Sequence, residues 1–236
     1  MDIFLACVLL LAGLAFGSFL NVCIRRIPRE QSIISPKSHC PQCGRPIRWR
    51  HNIPIVSYFA LLGRCADCGT AISWRYPAVE LLTTVLFLAC FAKFGVGWAM
   101  LKFCLFCFLL LGLILMDAET GLLPHEFTYP GIMAGLALSL VVPVDSSATA
   151  LLLHTWNASI RLTGRQMSLL DAGLAATTGA VFFYVVWGVY YLVRKRHGMG
   201  FGDMTLIAMC GAFLGLKLTL FVLIVAPILG SLYACF

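Results

Sequence analysis

The chain has 236 residues, 61% of them hydrophobic and only 11% charged, with a mean hydropathy of +0.93. No soluble domain of this length hides that much apolar surface, so the composition excludes a soluble enzyme and predicts an all-α polytopic membrane protein. In such a chain the net charge of +7 reports membrane topology first, and nucleic acid is not an expected partner.

Residues 3–22 form the first apolar span. It is too long and too apolar for a simple signal peptide and has no small-residue cleavage site, so it reads as a retained membrane helix. Arg25, Arg26 and Arg29 mark its end as cytoplasmic. Asn21, inside the span, is expected to hydrogen-bond to a neighbouring helix.

Residues 24–76 form a polar loop carrying nine of the 17 basic residues, some of which are expected to touch anionic lipid. Two pairs, Cys40-Pro41-Gln42-Cys43 and Cys65-Ala66-Asp67-Cys68, are separated by 21 residues. Paired CxxC knuckles at that separation predict a tetrahedral zinc site with Cys40, Cys43, Cys65 and Cys68 as thiolate ligands. Gly44 and Gly69 follow the second cysteine of each pair and suit the tight turn of a knuckle. So short a loop has little core, and the metal would supply much of its folding energy. His39 and His51 read as surface residues, because four cysteines already close the site. Most of the other cysteines lie in apolar helices, where a free thiol behaves as a small hydrophobe.

Spans follow at about 78–95 and 97–116. Glu80, near the start of the second span, sits where a helix N-terminus favours a carboxylate, which leaves a structural and a functional role both open. The third span ends at Asp117, followed by Ala118-Glu119-Thr120-Gly121-Leu122-Leu123-Pro124-His125. A fourth span is expected at 128–143, and a polar outer excursion without assigned function at 144–170. A fifth span, 172–193, ends in Arg194-Lys195-Arg196-His197. Gly198-Met199-Gly200-Phe201-Gly202-Asp203 then leads into a sixth span, 204–216, and a seventh, 218–236. Counting spans places Asp117 and Asp203 on one cytoplasmic face. The glycine run has no following Gly-Lys-Ser/Thr and is not a P-loop. An ionisable residue at the mouth of a membrane helix is a functional-site candidate. Two carboxylates brought close cannot both ionise easily and share a proton, which suits them for general acid–base work on a peptide bond. Gly200 and Gly202 would let a substrate backbone approach closely and allow positive φ in the turn.

Four blocks, 17–29, 36–83, 117–124 and 198–215, resemble the type IV prepilin peptidases, the membrane aspartyl proteases of pilin and type II secretion pseudopilin biogenesis. The blocks include Gly17–Arg29, Asn52–Tyr58, Arg75–Thr83, the Asp117 motif and the glycine run before Asp203. The resemblance implies cleavage of a prepilin or pseudopilin leader at the cytoplasmic face of the bacterial inner membrane, with Asp117 and Asp203 catalytic. It also implies N-methylation of the new N-terminus with S-adenosylmethionine, for which Glu80 is the candidate residue. The implied division is a first helix at 1–23, a zinc-binding domain at 24–77 and a protease core at 78–236. The family's first aspartate motif closes with Asp or Asn, where this chain has His125. The family generally has one span more than the seven counted here. The competing reading is a zinc-ribbon membrane scaffold without activity, in which the two aspartates are helix caps.

Overall fold

In a computed structural model the described residues are 3–155, 162–195 and 200–234, and among them the fold is all helix, with two isolated β-bridges in the cysteine loop. Gly198, Met199, Arg196 and His197 lie outside the described residues. The helices are α1 (Ile3–Arg26), α2 (Val56–Ala60), α3 (Arg75–Phe94), α4 (Trp98–Thr120), α5 (His125–Ser139), α6 (Ser147–Thr155), α7 (Gly164–Arg194), α8 (Phe201–Leu214) and α9 (Leu216–Ala234). Four are long and apolar enough to cross a membrane: the helical segments Ile3–Arg29, Arg75–Phe94, Trp98–Thr120 and Gly164–Arg194. At about 1.5 Å per residue α5 and α8 reach only ~21–23 Å, less than the ~30 Å of a bilayer core. The described helices therefore give four full-length spans, with α5, α8 and α9 as shorter apolar helices.

The chain divides into two compact units, Met1–Leu122 and Leu123–Phe236. In the first, α1 packs along α3 and both contact α4. The α1–α3 seam has a sequence cause. Gly13 and Gly17 lie four residues apart on one face of α1, and a Cβ at either would come within 2.6 Å of the backbone of Thr84 or Glu80. Small residues at that spacing let two membrane helices touch backbone to backbone. Asn21 is the next position on the same stripe, as Tyr76 is on α3, and its Nδ2 donates to the Tyr76 carbonyl at 3.0 Å. The expected interhelical hydrogen bond of Asn21 is thus present.

In the second unit α8 lies against α5 and α7. Gly211 of α8 meets Ala175 and Ala176 of α7 so closely that a Cβ would stand 2.6 Å from the Ala175 carbonyl carbon. Small residues on both helices make that crossing possible.

The 144–170 segment is not a plain surface excursion. It contains α6, and α7 begins at Gly164, eight residues earlier than the sequence suggests, with Thr163 and Gln166 forming a capping box. Asp171 therefore lies two turns inside α7, fully buried. It accepts from the Thr149 hydroxyl and, at 2.9 Å, from the Leu216 backbone N–H at the start of α9. Nearby, the Ser168 hydroxyl donates to the Ser139 carbonyl at 2.7 Å and accepts from the Val144 N–H at 3.0 Å. This polar knot ties α6 and α7 to the α8–α9 turn. Asp171→Ala would leave a buried N–H and a buried hydroxyl without their acceptor, which is expected to cost about 2–4 kcal/mol. Thermal unfolding in detergent should show the loss, and Asp171→Asn should recover part of it.

Candidate active site and metal centre

The cysteine loop is built twice. In its first half Cys40 N–H bonds to Arg45 O and Ile47 N–H to Ser38 O; in its second, Cys65 N–H bonds to Thr70 O and Ile72 N–H to Gly63 O. Gly44 and Gly69 sit at the same place in each half, at φ 68° and 71°, a conformation glycine adopts at low cost. The two knuckles bring the Sγ atoms of Cys40, Cys43, Cys65 and Cys68 within 4.8 Å of one another. The Cys40–Cys68 separation of 3.8 Å equals the edge of a tetrahedron with metal–sulfur bonds of about 2.3 Å. The four cysteines expected as ligands are brought together in one cluster that could hold a metal ion, and neither His39 nor His51 belongs to it.

The knuckles also prepare the sulfurs electronically. Backbone N–H groups of Cys43 and Gln42 hold the Cys40 thiol below its ordinary value. The Thr70 hydroxyl and backbone N–H bring the Cys68 thiol down to about 6. Cys43, against the pull of the Arg45 N–H, is pushed up to about 11 by desolvation and by the neighbouring Cys40 and Cys68 sulfurs. Cys40 and Cys68 are thus drawn toward the thiolate, the form a soft cation binds, and Cys43 away from it.

Between this loop, the end of α1 and the start of α3 lies a cavity of about 750 Å³. Cys40 and Cys65 form part of its wall, and Arg25, Arg48, Tyr58 and Tyr76 also line it. At its floor Glu80 is 7% exposed, and its Oε2 accepts from the Ile55 N–H at 2.7 Å. Ile55 opens α2 at φ 59°, a strained value for a β-branched residue, so Glu80 holds a turn that would not stand alone. Glu80 therefore has a definite structural partner as well as a face on the cavity.

Asp117 lies in the last turn of α4 and is exposed. The helix does not stop at the aspartate: it runs on to Thr120 and ends where Gly121, at φ 64°, donates its N–H to the Asp117 carbonyl. Two residues beyond Asp117, Glu119 is ion-paired with Arg75 at the start of α3. Asp203 lies in the first turn of α8, half-buried, where the helix N-terminus favours its charge. Gly200 caps α8 at φ −85°, so it does not supply positive φ, and a Cβ there would meet only the Gly202 nitrogen at 3.9 Å. Gly202 is the tight one: a Cβ would stand 2.6 Å from the Leu123 Cβ. Its close backbone approach is made to Leu123 of the Asp117–Pro124 motif. His125 opens α5 and stacks on Tyr129, with ring centroids 4.9 Å apart.

Comparison with known proteins matches residues 11–94 to the bacterial peptidase A24 N-terminal domain and residues 104–235 to the type IV leader peptidase family. The chain belongs to the type IV leader peptidase family. Among curated relatives of this family, a prepilin leader peptidase/N-methyltransferase of Myxococcus xanthus is 38% identical over 94% of this chain and 60% of its own length. Proteins with the same name from Klebsiella pneumoniae and Neisseria gonorrhoeae are 37% and 35% identical, over 88% and 94% of this chain and 84% and 78% of theirs. No solved structure matches the chain. The family's first matched block contains the cysteine cluster and the cavity, and its second contains Asp117 and Asp203.

Two features of the site were not visible in the sequence. The cavity needs the loop folded back on the α1–α3 seam, and the buried Asn21 Oδ1 that lines it carries no hydrogen bond. The Gly13/Gly17 spacing is the sequence signal that could have located the seam.

Proposed function

We propose that this chain cleaves the leader peptide of type IV prepilins or type II secretion pseudopilins, and N-methylates the residue so exposed. The observation that carries the reading is the placement of Asp117 and Asp203, each in the terminal turn of an apolar helix and each within the block matched to the type IV leader peptidase family. Supporting it, the Leu123 that packs on Gly202 belongs to the Asp117 motif itself. Acting as a pair, one carboxylate is ionised and takes a proton from water, while the protonated partner polarises the scissile carbonyl. Gly200, with open space at its Cα, leaves room for a substrate backbone. The division into a first helix, a cysteine-loop domain and a protease core over 78–236 is part of this reading. So are an inner-membrane location and a cytoplasmic position for the loop and the aspartates, on the positive charge of both flanks.

We assign zinc to the four cysteines, since a closed tetrahedral all-thiolate set is the pattern of structural zinc. We assign the methyl donor, S-adenosylmethionine, to the loop cavity. Its volume suits a ligand of that size, and an acceptor on its floor is unpartnered. When bound, the donor supplies an electrophilic methyl group. Glu80, Asn21 and Tyr58 from the chain would hold and orient the bound molecules there. The test is conversion of a purified prepilin by the purified protein, with leader loss and N-terminal methyl gain read separately by mass spectrometry. Intact precursor under conditions where the protein is folded would favour the scaffold alternative.

A further inference from the structure

The wall of the loop cavity carries one buried acceptor without a donor and one carboxylate without a counter-ion. Asn21 is 3% exposed. Its Nδ2 is committed to the Tyr76 carbonyl, which fixes Oδ1 as the atom left over, and that Oδ1 is buried with no hydrogen-bond partner. A buried orphan acceptor costs free energy that a ligand donor can recover. One turn along the facing helix is Glu80, also on the cavity wall. It accepts from the Ile55 N–H, which fills one of about four lone-pair positions on a carboxylate. Among the described residues no cation pairs with it, whereas Asp67, the other carboxylate lining the cavity, has Arg45 at 3.5 Å. A buried carboxylate without a counter-ion and an orphan amide oxygen, both lining one cavity, make a place for a cationic donor.

We infer that Asn21 Oδ1 and Glu80 form a subsite for an alkylammonium group, which donates N–H to both. Arginines elsewhere on the wall, Arg25 and Arg48 among them, suit the carboxylate or carbonyl groups of the same ligand, so the cavity takes a molecule with an amino end and an acceptor-rich end. Two ammonium groups have that chemistry: the α-amine of the methyl donor and the new N-terminus of the cleaved product. The inference rests on the methyl-transfer reading for the identity of these ligands, and on the cavity geometry for the subsite.

The test uses the full chain in lipid nanodiscs and measures binding by calorimetry. The ligands are S-adenosylmethionine and its fragment methylthioadenosine, which lacks the alkylammonium, and a mature-pilin N-terminal peptide and its N-acetylated form. The proteins are wild type, Asn21→Leu, Asn21→Asp and Glu80→Gln. The expected result is that one amine-bearing ligand loses roughly ten- to a hundredfold in affinity in Asn21→Leu and Glu80→Gln. Its counterpart without the alkylammonium should bind all proteins alike, and Asn21→Asp, which keeps the acceptor, should recover most of the loss. Whichever ligand responds identifies the source of the ammonium. If both amine-bearing ligands bind the variants within about twofold of wild type, the subsite is overturned. Should Asn21→Leu lose its bound metal or aggregate, Glu80→Gln, which keeps an acceptor for Ile55 N–H, decides the question. Wild-type protein that binds the free-amine peptide through this pair but not S-adenosylmethionine would overturn the methyl-donor assignment and leave the subsite standing.

Discussion

Asp117→Ala and Asp203→Ala are each expected to reduce leader cleavage by at least 10²–10⁴-fold, the usual contribution of a positioned acid or base. In the proposed mechanism the two carboxylates work as one unit, so the double variant should be no worse than either single one. That non-additivity separates catalysis from helix capping, where two independent losses would add. Each variant should remain in the membrane and keep its metal, since neither side chain belongs to the buried cores: Asp117 is exposed and Asp203 half-buried. Methyl transfer to a pre-cleaved peptide should survive in both, because the cavity is lined only by residues of the first matched block. Precursor and product can be resolved on a gel, with the methylated product read by mass. Unchanged cleavage in either variant would remove the aspartyl mechanism.

Cys40→Ser is expected to strip the metal from the purified protein and to make the 30–74 loop the first site of proteolysis. The reason is quantitative. Most of the loop's cysteines, arginines and apolar residues are exposed or half-exposed, so little burial holds it. Structural zinc contributes on the order of 10–16 kcal/mol in small all-ligand peptides, and a lost ligand forfeits much of that. Metal content by mass spectrometry of wild type and variant checks the claim, and equal metal in the two would contradict it. Acidification should act in the same direction. The Cys40 and Cys68 thiols lie low in the folded protein, so thiolate character is present at neutral pH and is lost as pH falls through about 6 for Cys68, where protons compete with the metal. Because Cys40 and Cys65 wall the cavity, metal loss is also expected to weaken ligand binding there.

Much of this site was legible in the sequence because its signals are local. A CxxC pair is a knuckle before it is anything else, and its partner was found by spacing. The two aspartates stood out because an apolar chain has few acids. The helix boundaries were less legible. α7 starts at Gly164 because a capping box at Thr163 and Gln166 outweighs the polar character of residues 164–170, and that places Asp171 inside a helix. Among the described helices α5, α8 and α9 are shorter apolar segments where the sequence suggests spans, and α5 and α8 are apolar throughout but end after 15 and 14 residues. Hydropathy measures apolar character and not where a helix stops.

By itself the sequence determined that the protein is an all-α membrane chain, that four cysteines form one cluster, and which two aspartates stand at helix ends. These follow from composition, short-range spacing and the few charges present. Only the tertiary structure decided which groups Asn21, Glu80 and Asp171 bond to. Each is a single polar residue on an apolar helix, and its meaning depends on which backbone groups lie opposite. The Gly13/Gly17 seam sets Asn21 and Glu80 on the floor of one cavity, and the turn before α9 gives Asp171 its N–H. Such partners are distant in the chain and carry no local signal, since a buried hydrogen bond is specified by packing and not by spacing.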